Sequence, residues 1–412
     1  MKHLKPLILA LALAAAPAFA QNDGIPVTSM SPLRGIALTS LNLAKCARVT
    51  DLSPLAGMPL RELDLSGTAV RRLEALSGMG LRKVRLTGCR EISDLTHLTK
   101  AQLEEVDLSR TAVANLSVLK GMPVKRLNLE NTPVADLSPL ASAPLTWLNI
   151  RETKVRDISA LRSARLVFLN AAKCAISDIS ALANSPLNEG LDLANTGVAD
   201  IDALRNKRMA FLILRSTPVA NVSPLFGAQI TRLDLAESKV TEIGPLNGMQ
   251  LEYLNCASTG VGDIKSLSGM PLSQGLDLSR TKVSDLEPLR ATSITELNLA
   301  NCPISSVTPL GALRLRTLRL DGAPNTIELW ALSSSKPTLE FLSFGDERRG
   351  GVDAEGLVGS SDLPEAQTLA VLVHQRRQIG TPHGGIGRGD DVLGDPVMIR
   401  LSPLSSSISW MR

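Results

Sequence analysis

Residues 27–38 read "VTSMSPLRGIAL" and residues 49–60 read "VTDLSPLAGMPL", the same phrase written twice at an interval of 22 residues. Between and beyond them a second phrase recurs: "LDLSGT" at Leu63, "VDLSRT" at Val106, "LNLENT" at Leu127, "LNIRET" at Leu148, "LDLANT" at Leu191, "LDLAES" at Leu233 and "LDLSRT" at Leu276. Aligned on the first leucine of that phrase, fourteen units begin at 41, 63, 84, 106, 127, 148, 169, 191, 212, 233, 254, 276, 297 and 318, always 21 or 22 apart, and a degenerate fifteenth, "LEFLSF", places Leu342 after a step of 24. A period this short and this constant admits few folds. One unit cannot bury its own leucines, so units have to stack, each packed on its two neighbours.

The unit reads L-x-x-L-x-L-x-x-T-x-V-x-D-L-S-P-L-x-x-x-P. In its first half apolar residues alternate with polar ones, as a strand with one buried face requires. In its second half Asp or Ser precedes Pro, which suits a short helical turn whose first N–H groups need a cap and where a missing Pro N–H costs little. Stacked units would pair their strands in parallel about 4.8 Å apart. By this register the opening phrase is the second half of a truncated unit occupying residues 21–40, ahead of the repeats at 41–346.

This pattern resembles the leucine-rich repeat family, in its short bacterial, internalin-like class, over residues 27 to 345. The resemblance implies an α/β solenoid: a right-handed horseshoe with a concave parallel β-sheet and convex 3₁₀ or short helical turns. One departure is systematic. Where the family carries Asn after the strand, this chain has Thr68, Thr111, Thr132, Thr153, Thr196, Thr217, Thr259, Thr281, Ser238, Ala323 and four cysteines. A Thr hydroxyl both donates and accepts, so it can still bind backbone groups turned inward. No separate N-terminal capping helix of the internalin type is legible.

"MKHLKPLILALALAAAPAFAQ" sets Lys2 and Lys5 before an apolar run and ends on the small-x-small pattern Ala18-Phe19-Ala20, so residues 1–20 read as a signal peptide with the mature chain starting near Gln21. The run is too short for the roughly 20 residues a membrane span needs. The expected location is periplasmic or secreted. Without Lys2 and Lys5, 42 basic residues stand against 40 acidic ones, a formal charge of +2 that argues against nucleic acid as a partner.

Cys46, Cys89, Cys174 and Cys302 occupy the Thr slot and Cys256 a leucine slot. The nearest pairs are two units apart, roughly 10 Å, beyond the ~7 Å between Cα atoms that a disulfide tolerates. All five should be buried, free and inert. Asp or Asn stands between the two strand leucines in eleven of fourteen units, the aspartates being Asp64, Asp107, Asp192, Asp234 and Asp277. No two are in adjacent units, and carboxylates about 10 Å apart cannot share a calcium ion with ligand distances of about 2.3–2.6 Å. They read as a solvated polar face, and no metal or cofactor is expected.

Aromatics are scarce, 2% of the chain. Four of those in the repeat region, Trp147, Phe168, Phe211 and Tyr253, share one slot just before the first strand leucine, with Gly190 and Gly275 in that slot elsewhere. In the family this slot faces the concave surface. Aromatics are the usual anchors of binding patches, so the four form the candidate ligand-binding row, with Glu130, Arg151, Glu152, Lys173, Arg215 and Glu237 as its charged rim. Nucleophile-elbow, Walker and HExxH patterns are missing. Beyond Asp346 the register ends; in the tail, 347–412, the spacing predicts a helix over 362–378 and disorder elsewhere.

The expectation is an exported, monomeric, non-enzymatic recognition protein that binds a protein or glycan on its concave face. The alternative is a structural envelope protein that self-associates through its poorly capped N-terminal end.

Overall fold

Each L-x-L phrase forms one short strand. The computed structural model describes residues 30–323, 327, 329, 331–332 and 338–343; the expected signal peptide, residues 21–29 and the tail with its expected helix lie outside the described residues. The strands are β1 (Ser40–Asn42), β2 (Glu62–Asp64), β3 (Lys83–Arg85), β4 (Glu105–Asp107), β5 (Arg126–Asn128), β6 (Trp147–Asn149), β7 (Phe168–Asn170), β8 (Gly190–Asp192), β9 (Arg208–Ile213), β10 (Gln229–Asp234), β11 (Tyr253–Asn255), β12 (Gly275–Asp277), β13 (Glu296–Asn298), β14 (Thr317–Arg319) and β15 (Phe341–Ser343). They form one parallel sheet in sequence order. The register is the one the period dictates: Leu63 faces Val84, and Val84 faces Val106.

Leucines fill the interior. Leu140, Leu145, Leu148 and Ile150 of one repeat are at most 1% exposed, and the same slots are buried in every repeat from Leu41 to Leu320. Full burial of each such side chain stabilises by about 1.5–3 kcal/mol, and neighbouring repeats supply most of the cover, which is why the repeats stand only as a stack. At the first of them, Leu41 and Leu43 are covered from the preceding half unit, where Met30 and Leu33 are buried.

The return path is built from 3₁₀ turns, Ser31–Leu33 through Thr308–Ala312, and no α-helix occurs among the described residues. Their caps differ from the simple expectation. The residue at the N-cap is an apolar one such as Leu137, and the side chain that caps is the Asp before it: Asp136 Oδ1 accepts the Ser138 N–H at 2.7 Å and Oδ2 accepts its hydroxyl at 2.8 Å. The same pair of bonds recurs at Asp51, Asp94, Asp157 and Asp178.

The turn leaving each strand is equally regular. One residue there is left-handed in all fourteen repeats, from Lys45 (φ 65°) to Gly322 (φ 76°). That conformation aims its N–H at the next repeat, as Lys45 donates to Ser66 O and Glu152 to Ala172 O, so the parallel ladder continues past the strand. The following Thr turns its hydroxyl inward: Thr111 Oγ1 donates to Leu108 O at 2.6 Å and Thr153 Oγ1 to Ile150 O at 2.7 Å. Cysteines in this slot reach further. Cys174 Sγ donates at 2.9 Å to Ile150 O of the preceding repeat, and Cys89 and Cys302 do the same to Leu65 O and Leu278 O. All five cysteines are buried and free, and burial pushes their thiols up from the ordinary value, which keeps them as thiols.

Candidate functional site

Side chains of alternate strand residues leave the sheet on the face opposite the leucines, in slots one and three of each strand, and the turn after it adds a third column. Slot one runs Glu62, Lys83, Glu105, Arg126, Trp147, Phe168, Gly190, Phe211, Arg232, Tyr253, Gly275, Glu296 along β2–β13, the register being fixed by the strand pairing. Its first members are ion-paired: Lys83 Nζ lies 3.8 Å from Glu62 and 3.3 Å from Glu105. Between Arg126 and Gly275 the slot holds four rings, Trp147, Phe168, Phe211 and Tyr253.

Trp147 and Phe168 stack with centroids 4.9 Å apart and planes inclined by 9°. Phe211 belongs to a strand two places from Phe168, yet its ring meets Phe168 edge-on at 6.2 Å and 68°. Gly190 makes this possible. A Cβ at Gly190 would stand 2.4 Å from Phe211 Cε1, and the φ of +148° there is one that only glycine adopts freely. Three of the four expected residues are thus one ring cluster. Phe168, only 5% exposed, is its buried centre, and Trp147 and Phe211 present the accessible surface.

Tyr253 stands apart, separated from Phe211 by Arg232, whose guanidinium lies 5.2 Å from the Tyr253 ring centre. Arg126 covers Trp147 in the same way at 4.9 Å. Each contact is a cation–π pair, worth about 0.5–1 kcal/mol at an exposed site. These two arginines were not among the expected site residues, although the register places them in the same slot. Burial, helped by the charges of Asp234 and Asp277, pushes the Tyr253 hydroxyl above its usual value.

The expected rim lies in the turns, and it divides in two. Glu130 accepts Asn149 Nδ2 at 3.2 Å, while Glu152 joins Arg151 at 3.1 Å and Lys173 at 2.7 Å. Arg215 pairs with Glu237 at 2.6 Å on the far side of the ring cluster. Lys173 holds the Glu152 carboxyl below its usual range, and Ser216 with Arg215 does so for Glu237. Glu152, Lys173 and Glu237 also occupy the left-handed turn position, so their backbones serve the fold.

Slot three corrects the reading of a solvated polar face. All eleven Asp and Asn residues there, from Asn42 to Asn298, accept through Oδ1 the N–H two residues on, at 2.8–3.1 Å. They close the turn that leaves the strand, which a pattern of polar letters does not reveal.

Among solved structures the fold is similar to an internalin from Listeria monocytogenes (TM-score 0.60, 22% identity, covering 74% of this chain and 86% of that one). It is also similar to a leucine-rich repeat protein from Leptospira interrogans (0.59, 17%, covering 78% and 95%). The plant peptide hormone receptor RGFR1, solved in complex with RGF2, matches with a TM-score of 0.53 and 12% identity over 75% of this chain and 55% of that one. No protein-family model and no curated protein matches the chain. At these identities the likeness establishes the fold, a leucine-rich repeat solenoid.

Proposed function

We propose that this leucine-rich repeat solenoid is a non-enzymatic recognition protein that holds a protein ligand on the open face of its sheet, across β5–β11. The observation that carries the reading is the ring cluster of Trp147, Phe168 and Phe211, set between Arg126 and Arg232 in the same slot and dependent on a glycine for its assembly. A core has no use for rings on this face, because the leucines already fill the interior. A rigid sheet offers aromatic anchors without the entropy cost of ordering loops. The receptor RGFR1 carries its peptide ligand on the same kind of fold, which supports a protein ligand over other classes.

The test compares proteins captured from a cell-envelope extract by the wild-type chain and by a Trp147→Ala, Phe211→Ala, Tyr253→Ala variant with an unchanged circular dichroism spectrum. The reading expects a protein captured by the first and lost, by tenfold or more, from the second. Identical capture would remove the ring cluster from the account. The reading also sets the chain outside the cytoplasm, following the expectation from residues 1–20; N-terminal sequencing of the mature chain should return Gln21, and a start at Met1 contradicts it.

A further inference from the structure

The sheet has a bare edge at β1, whose one neighbour in the strand order is β2. In β2 the backbone of Glu62 and Asp64 is turned toward β1: Glu62 N–H donates to Thr39 O at 3.1 Å, and Asp64 O accepts from Leu43 N at 2.7 Å. Ser40 and Asn42 hold the same two positions in β1. Their backbone N–H and C=O groups therefore point away from β2, and no partner for them occurs among the described residues. Both residues are exposed. The preceding half unit covers the leucine side chains of β1 and leaves its backbone open.

Two further features set this end apart. Residues 35–44, GIALTSLNLA, carry no charge, whereas slot one of the next four strands holds Glu62, Lys83, Glu105 and Arg126. Edge strands that stay unpaired are ordinarily blunted by charge or proline, and β1 has neither. Ile36 and Leu38 are half-buried, while Met58 and Leu60, their counterparts one repeat on, are buried. Unused backbone groups beside an apolar pair are what a strand added to a sheet edge engages.

We propose that a second copy of this chain supplies that strand, β1 of each copy pairing antiparallel with β1 of the other about a two-fold axis at Leu41. The hydrogen-bonding groups select this partner. Ser40 and Asn42 each present one N–H and one C=O on the same edge. Under the two-fold, Ser40 meets Asn42 of the partner subunit and Asn42 meets the partner subunit's Ser40, so every one of these groups finds its complement. Leu38 then stands opposite Ala44 of the partner subunit, and no charge lies within the pairing. Both outward faces come to lie on one side of a single continuous sheet. The pairing is independent of the ring cluster, which is on β6–β9.

Sedimentation equilibrium of the whole chain from about 1 to about 200 µM tests the proposal. A contact this small makes a weak pair, so the mass should rise from one copy to two across that range and stop there. Hydrogen exchange resolved by residue should find the Ser40 and Asn42 amides open in the dilute chain and protected in the concentrated one, with Leu43, already bonded to Asp64, unchanged. Ser40→Pro removes one outward N–H and no bond to β2, and should weaken the pairing at least tenfold. Ser40→Lys, a side chain that slot one accommodates as Lys83 in β3, should weaken it as well, so the test does not depend on how the proline variant folds. A mass of one copy throughout, or growth beyond two copies as an end-to-end stack would give, overturns the proposal. So does a pairing indifferent to both substitutions, or protection of the Ser40 and Asn42 amides in the dilute chain, which would mean that the chain covers its own edge.

Discussion

Thr153 and Cys174 hold the same slot in successive repeats, and both send a hydrogen to the same carbonyl, Ile150 O. The thiol therefore ties two repeats where the threonine ties a turn to itself. Cys174→Thr should cost less than about 1 kcal/mol, since Thr153 and Thr196 on either side already accommodate that shape, whereas Cys174→Ala should cost about 1–3 kcal/mol through the lost contact and the small cavity. Urea unfolding of the two variants checks this ordering. At Asp51, Asp94, Asp136 and Asp178 the Ser or Thr N–H, and then its hydroxyl, hold the carboxyl below its usual range. A carboxyl depressed on folding stabilises above its unfolded value, and the gain is lost as pH falls through the folded one. Replacing all four by Asn, which serves in the same slot at Asn115 and Asn221, should flatten the decline of the urea midpoint as pH falls below about 4. The Thr slot was legible in the sequence because its period marks it. The turn-closing role of slot three was not, because the left-handed residue that creates the turn is Lys, Gly, Arg, Asn, Glu or Ser and leaves no common letter.

At the scale of one strand and its neighbours, the ring cluster depends on β8 carrying no side chain in slot one. Gly190→Ala should cost about 2–4 kcal/mol, combining backbone strain at φ +148° with the overlap against Phe211. Gly275→Ala carries similar strain at φ +140° but meets its neighbours only at 3.4 Å and beyond, so its cost should be near 1–2 kcal/mol. In a Gly190→Ala, Phe211→Ala variant the overlap disappears, and the two losses should fall short of additive by about 1 kcal/mol or more in thermal unfolding. Strictly additive losses would mean that the ring does not lie over the glycine. Sequence spacing put Trp147, Phe168, Phe211 and Tyr253 in one slot. It could not show that Arg232 divides them or that Phe168 is covered by its partners, because those facts depend on which way each ring leans.

Across the whole repeat stack, the fold was readable because each buried leucine is answered by another 21 or 22 residues away, and parallel pairing in sequence order is the one arrangement that keeps all of them in register. The proposed binding surface is less readable for the same reason: its positions are outward, so the period constrains their place and not their chemistry. What the surface touches is decided by position on the stack, and two aromatic positions separate the alternatives. Tyr253 is on the sheet face, and Phe226, 68% exposed, follows the Ser223–Leu225 turn on the return path. With the photoreactive residue p-benzoylphenylalanine at one position or the other, illumination in the presence of the captured ligand should yield a covalent adduct from position 253 and none from position 226. An adduct from position 226 alone would contradict recognition through the sheet.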